Sequence, residues 1–128
     1  MTELIGIARF RFLEGKREEF LRLSDQARDM VRAREPGTLQ YDMYLNGDRS
    51  ECMIIERYRD SESAIAHAAN LGDLFPAVLA TVSVVHGELL GVPSEELAAN
   101  LAGSDVPVVF TPYSSMTRPA AASDVAGE

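Results

Sequence analysis

Tryptophan is absent from the 128 residues, cysteine occurs once and histidine twice. The lone thiol, Cys52, has no partner for an intramolecular bridge, so in its β-rich run it reads as a small core or sheet hydrophobe, which suits a reducing compartment. Long apolar runs are missing as well. Nowhere do about 18 consecutive apolar residues occur, and the opening MTELIGIARFRF has no basic region leading into an apolar stretch, so neither membrane spanning nor export is expected. Basic charge is scarce, with 12 Lys+Arg against 20 Asp+Glu and a formal net charge of -8. That disfavours nucleic acid and anionic membranes as partners, because both need a clustered basic surface. The expected location is the cytoplasm.

Strong chemical motifs are also missing. There is no phosphate-cradling glycine loop, no Cys-x-x-Cys, no His-Glu-x-x-His and no Gly-x-Ser-x-Gly. The expectation is therefore no cofactor and no metal. What the chain does have is ordinary globular composition, 46% hydrophobic and 25% charged. Its length suits one domain able to bury roughly two-thirds of its unfolded surface.

Hydrophobic period then orders the elements. Residues 3 to 12 alternate, with Leu4, Gly6, Ala8, Phe10 and Phe12 as the inner set and Arg9 and Arg11 in the outer one, the period of a strand. From Lys16 to Glu35 the residues Phe20, Leu23, Ala27, Met30 and Val31 recur at helical spacing, and Pro36-Gly37 ends that helix. Two strand-like runs, Thr38 to Leu45 and Glu51 to Arg59, flank an Asn46-Gly47 hairpin signal in a loop longer than two residues. Asp60-Ser61 offers a cap for a second helix carrying Ala64, Ile65 and Ala68. Asp73 can cap a further piece through Leu74, Phe75, Val78 and Leu79. A valine-rich strand from about Thr81 to Leu90 follows, then a short helix, Glu95 to Leu101, capped by Ser94, and an extended stretch at Val106 to Phe110.

The order β-α-β-β-α-β is the split βαβ motif, an α+β, ferredoxin-like arrangement with a C-terminal helix and extended arm. The expected boundaries are a folded domain over 1-103, an arm over 104-117 and a flexible tail over 118-128. Both helices of this motif cover one sheet face. Strict alternation along 81 to 90 puts Val82 and Val84 on one face and Val85 and Leu89 on the other. Two apolar faces call for a second sheet, so a homodimer is expected.

Few residues remain to carry chemistry. His67 lies on the second helix and can either face an apolar pocket as a proton acceptor or sit on the helix surface. His86, in the fourth strand, suits a structural or interface role. Tyr41, Tyr44 and Tyr58 favour strand packing, and their hydroxyls matter only where they converge on a cavity. Glu56 and Arg57 point to opposite faces, and the inward one needs a partner. Arg9 and Arg11 share a face and can pair across the sheet with Glu56, Asp42 or Glu88. Phe110, Tyr113 and Met116 give the arm apolar surface for a lid or an interface clasp.

Three stretches, Glu35-Pro36-Gly37-Thr38-Leu39-Gln40-Tyr41, Ile55-Glu56-Arg57-Tyr58-Arg59-Asp60-Ser61-Glu62 and Ala64-Ile65-Ala66-His67, in that order, resemble the antibiotic biosynthesis monooxygenase family. His86-Gly87-Glu88-Leu89-Leu90-Gly91 looks like the end of the same domain. The resemblance implies a dimeric α/β barrel with a small-molecule cavity between each sheet and its helices. It also implies oxygenases that convert anthrones or quinols to quinones without flavin, haem or metal. His67, and more loosely Tyr58, carries over. The missing tryptophan departs from the family pattern and counts most against the haem-degrading members. His67 is the candidate catalytic residue, and Tyr41, Tyr58 and Phe75 are the candidate contacts to a small hydrophobic or aromatic substrate. The rival expectation is a non-enzymatic dimeric module that binds a small hydrophobic metabolite.

Overall fold

The computed structural model describes residues 3–119, so the expected tail from residue 120 onward lies outside the described residues. Its elements run β1 (Leu4–Phe12), α1 (Arg17–Arg34), β2 (Thr38–Leu45), β3 (Glu51–Tyr58), α2 (Ser61–Leu71), α3 (Leu74–Leu79), β4 (Val82–Leu90), α4 (Glu95–Leu101) and β5 (Val108–Phe110). The strands form one sheet in the order β2-β3-β1-β4-β5, antiparallel except for the parallel β4/β5 pair. This is the expected ferredoxin-like core with one parallel strand added at its edge. Among the described residues no helix is long and apolar enough to cross a membrane.

Local chemistry accounts for most element ends. The Asp60 side chain accepts from Ser63 N–H and Ser94 from Leu97 N–H, each satisfying a donor that a helix start leaves open. Asp73 is different: it precedes α3 in helical geometry and makes no side-chain cap bond, so that expectation fails. The α1 stripe buries Phe20, Leu23, Ala27 and Val31 against the sheet.

The interior is divided. Phe10, Phe20, Cys52, Ile54 and Val82 form one cluster beneath α1 and α3, with the Phe12 and Phe20 rings edge to face at 5.0 Å. Leu4, Tyr58, Leu89 and Leu97 form a second, with Ala64, Ile65 and Leu101 packed against it. Space for the site lies between the two.

Two expectations about the sheet are corrected. Arg9 pairs with His86 but Phe10 pairs with Val84, which leaves Val85 as the extra residue of a β-bulge. Beyond it Gly87 faces Ala8 and Leu89 faces Gly6, so Leu89 joins Val82 on the buried helix side rather than facing away. His86 and Glu88 go to the other face, where His86 Nδ1 lies 3.0 Å from Glu88 Oε1. The partner of Arg9 and Arg11 is Glu51, at 2.7 Å from each, because the β1/β3 register sets it opposite Arg11 and diagonal to Arg9.

These two guanidinium groups hold the Glu51 carboxyl below the usual carboxylate range. A depressed folded-state value stabilises the fold above the ordinary carboxylate range and loses that contribution as pH falls through the lowered value. Glu51→Gln should therefore lower Tm at pH 7 and flatten its fall on acidification. Thermal melts from pH 7 to pH 2 test this, and identical acid limbs for the two proteins would refute it. Burial pushes the Cys52 thiol up to about 11. At pH 8 the folded chain should react with a thiol-specific disulfide reagent about 100-fold more slowly than the unfolded chain, or slower still. Equal rates would mean that the thiol is accessible.

Candidate functional site

Glu35 begins the site. It follows Arg32 and Arg34 as the residue closing α1, a helix end where the backbone dipole favours cations, yet its carboxylate is buried. Such a charge needs donors on all sides, and three reach it. Thr38 Oγ1 donates to Oε1 at 2.8 Å, the His67 Nδ1 edge meets Oε1 at 2.8 Å, and Asn70 Nδ2 donates to Oε2 at 3.2 Å. His67 and Asn70 lie one turn apart on α2, and Thr38 opens β2.

Gly37 makes this junction possible. A Cβ there would fall 2.0 Å from Ser63 Oγ, so only glycine lets the chain entering β2 pass this close to α2.

The carboxylate fixes the imidazole. As an acceptor it places a proton on Nδ1, so the neutral ring carries its lone pair on Nε2. Nε2 points to the other carboxylate of the site, with Glu56 Oε1 3.8 Å away. Glu56 is thus the inward member of the Glu56/Arg57 pair, while Arg57 turns outward to Glu3 at 3.2 Å. The Tyr58 hydroxyl donates to Glu56 Oε1. Burial, reinforced by Glu56, raises the Tyr58 phenol far above its ordinary value, and burial with Glu56 and Glu35 does the same for Tyr41. Both are held as neutral phenols around neutral pH, where the Tyr58 hydroxyl is a hydrogen-bond donor.

His67, Glu56 and Tyr58 line one part of a cavity of about 450 Å³ under α2, α3 and α4. Its other walls are mostly apolar, including Phe10, Leu71, Phe75, Leu79, Leu89 and Leu101, and no lysine or arginine lines it. Its size and its few converging polar groups suit a small organic molecule. Among the described residues no group of three or more His, Cys, Asp or Glu could hold a metal ion.

Of the expected site residues, His67, Tyr58 and Phe75 come together at this cavity. Tyr41 does not line it: its ring lies 5.4 Å from the His67 ring, and it borders a separate cleft with Ser24, Asp25 and Arg28. Phe110, Tyr113 and Met116 stay exposed and away from the cavity, which takes Val106 and Pro107 from the arm instead. Glu35, Thr38 and Asn70 were not singled out by the sequence. The available signal for Glu35 was an acid at a helix C-terminus, beside two arginines, where local electrostatics disfavours it.

The comparisons accord with the fold. The structure is similar to that of MupZ from Pseudomonas fluorescens, at 22% identity and a TM-score of 0.75, over 93% of this chain and 97% of that one. It is also similar to SnoaB, a cofactor-independent oxygenase from Streptomyces nogalater, at 18% identity and a TM-score of 0.62, over 73% of this chain and 96% of the other. Rv0793 from Mycobacterium tuberculosis shares 26% identity at a TM-score of 0.64, over 73% and 98%. No curated protein matches the chain significantly. The family model described as antibiotic biosynthesis monooxygenase matches residues 4–82, more than half the length, and the chain belongs to that family.

Proposed function

We propose that this protein is a cofactor-independent monooxygenase that oxidises a phenolic, quinol- or anthrone-like aromatic. Membership of the family supports the monooxygenase-type role. The observation that carries the chemistry is a base nitrogen, His67 Nε2, held by Glu35 at the edge of a mostly apolar cavity. A site that only stored a hydrophobic metabolite would not need a buried carboxylate with three donors behind a histidine. The enzyme reading is therefore preferred to the binding module.

The substrate enters as a neutral ring system, because acidic residues, Glu56 and Glu88, border the cavity and no lysine or arginine is there to hold an anion. Its hydroxyl lies at Nε2, which takes the proton, and the resulting imidazolium is stabilised by Glu35 on one side and Glu56 on the other. The ring anion then passes one electron to O2, and recombination forms a carbon–oxygen bond. The imidazolium returns its proton to the peroxide, and loss of the remaining proton at that carbon breaks the O–O bond and expels water, leaving a carbonyl. For an anthrone the balance is one substrate and one O2 to one quinone and one water. Tyr58 and Phe75 orient the ring, the apolar walls exclude water, and Tyr41 supports the plane of His67.

Oxygen uptake with anthrones and hydroquinones, measured against boiled protein, tests this directly. His67→Ala should lower kcat by about 100-fold or more, the usual share of general base catalysis. Glu35→Gln should cost at least about tenfold, since an amide still accepts from Nδ1 but does not balance the imidazolium. Uptake no faster than boiled protein across the panel, or full activity in His67→Ala, would sink the reading.

The assembly proposed for this function is a homodimer through the sheet face that no helix covers. Ile5, Ile7, Met53 and Ile55 lie there side by side in the β1/β3 register. Light scattering at micromolar concentration should give twice the chain mass of 14.0 kDa. A single-chain mass would contradict it.

A further inference from the structure

The family match ends at residue 82, yet a large part of the cavity wall comes from later in the chain. Leu97 and Leu101 of α4 and the pair Val106-Pro107 all border it. The α4 helix is anchored: Ser94 N–H donates to the buried Ser61 Oγ at 2.9 Å, and Leu97 packs with Leu4, Tyr58 and Leu89. The stretch after it is thin. Between Gly103 and Val108 it crosses the cavity side, and Val106, which borders the cavity, is 44% exposed.

That stretch is nonetheless held in place. Upstream, Ser104 N–H bonds to Leu101 O; downstream, Gly91 N–H bonds to Phe110 O, and Val108 to Phe110 pair with Glu88 to Leu90. Within the sheet a gap has been left for it. Gly87, opposite Ala8, has no side chain, and a Cβ there would fall 2.8 Å from Val106 Cγ1. Val106 therefore sits over β4 in the space that Gly87 vacates. Glu56 stands on β3, two strand spacings away through β1, a separation of roughly 10 Å. Glu56, beside His67 Nε2, and Val106 thus border the cavity from different strands, β3 and β4.

From this arrangement we propose that Val106, backed by Pro107, is the specificity-determining residue of the site: it sets how long a neutral aromatic molecule the cavity accepts. The inference rests on the reading of this cavity as the substrate site. A one-ring molecule with its hydroxyl at His67 stops short of Val106. A molecule of three linearly arranged rings reaches it, so the volume of this side chain decides whether the last ring fits.

The test compares binding, in the absence of oxygen, of phenol by calorimetry with binding of the neutral, linear three-ring probe 2-hydroxyanthracene by fluorescence. The proteins are the native chain, Val106→Trp, Val106→Ala and the control Val92→Trp, whose residue is exposed and outside the cavity. Val106→Trp should weaken the three-ring probe at least tenfold and leave phenol within twofold, while Val92→Trp changes neither. Val106→Ala should raise the preference for the three-ring probe over phenol. The proposal falls if Val106→Trp leaves the three-ring probe within twofold, if it loses both probes equally with an unchanged circular dichroism spectrum, or if the native chain binds neither. Should Val106→Trp not fold, an unchanged probe preference in Val106→Ala overturns it alone. Failure of every quinol to consume oxygen, with the Val106 effect on binding intact, removes the oxygenase reading and keeps this one.

Discussion

The buried carboxylate of Glu35 is the constraint on which the site is organised. Withdrawing that charge from water is unfavourable by several kcal/mol, on the order of a large fraction of a domain's whole stability, unless donors replace the lost solvent. The donors come from β2 and α2, so the end of α1, the start of β2 and one face of α2 have to meet at one point. Gly37 allows the approach and His67 receives its orientation from it. The energetic demand of a single acid thus becomes a geometric specification for a base nitrogen three elements later in the chain.

The divided core follows the same logic. A sheet with helices on one face could fill the intervening space with one continuous apolar layer, at the packing density usual for protein interiors. Here α1 and α3 compact one end while α2 and α4 compact the other. The volume between is left open, edged by the polar ends of Glu56, Tyr58 and His67. Stability and binding space are kept apart in the structure. Residues such as Phe20 and Leu4, fully buried, hold the scaffold without touching the cavity.

Most of the fold is legible in the sequence because it depends on short-range patterns. The Phe20 to Val31 stripe, the Asp60 and Ser94 caps and the Pro36-Gly37 stop all act within a few residues. His67, Tyr58 and Phe75 were legible as candidates through residue type and family motif. What escaped depends on register or on distant contacts. The pairing of Arg9 and Arg11 with Glu51 requires the β1/β3 alignment, and Glu35 draws its donors from 3, 32 and 35 residues along the chain. Tyr41 carries the same side chain as Tyr58, and only the packing around His67 decides which of the two borders the cavity.

The bulge at Val85 has a consequence for how the chain can tolerate change. Strand alternation is a two-beat rhythm, and one supernumerary residue shifts every later beat by half a period. Because of that shift Gly87 and Leu89 fall on the helix side and His86 and Glu88 on the open side. Were the strand in simple alternation from Val82, Glu88 would be carried into the apolar interior and Leu89 onto the open face. The inserted valine therefore acts as a reading-frame correction for the second half of β4. Its backbone count, more than its side chain, sends the Glu88 carboxylate to the face where it meets His86.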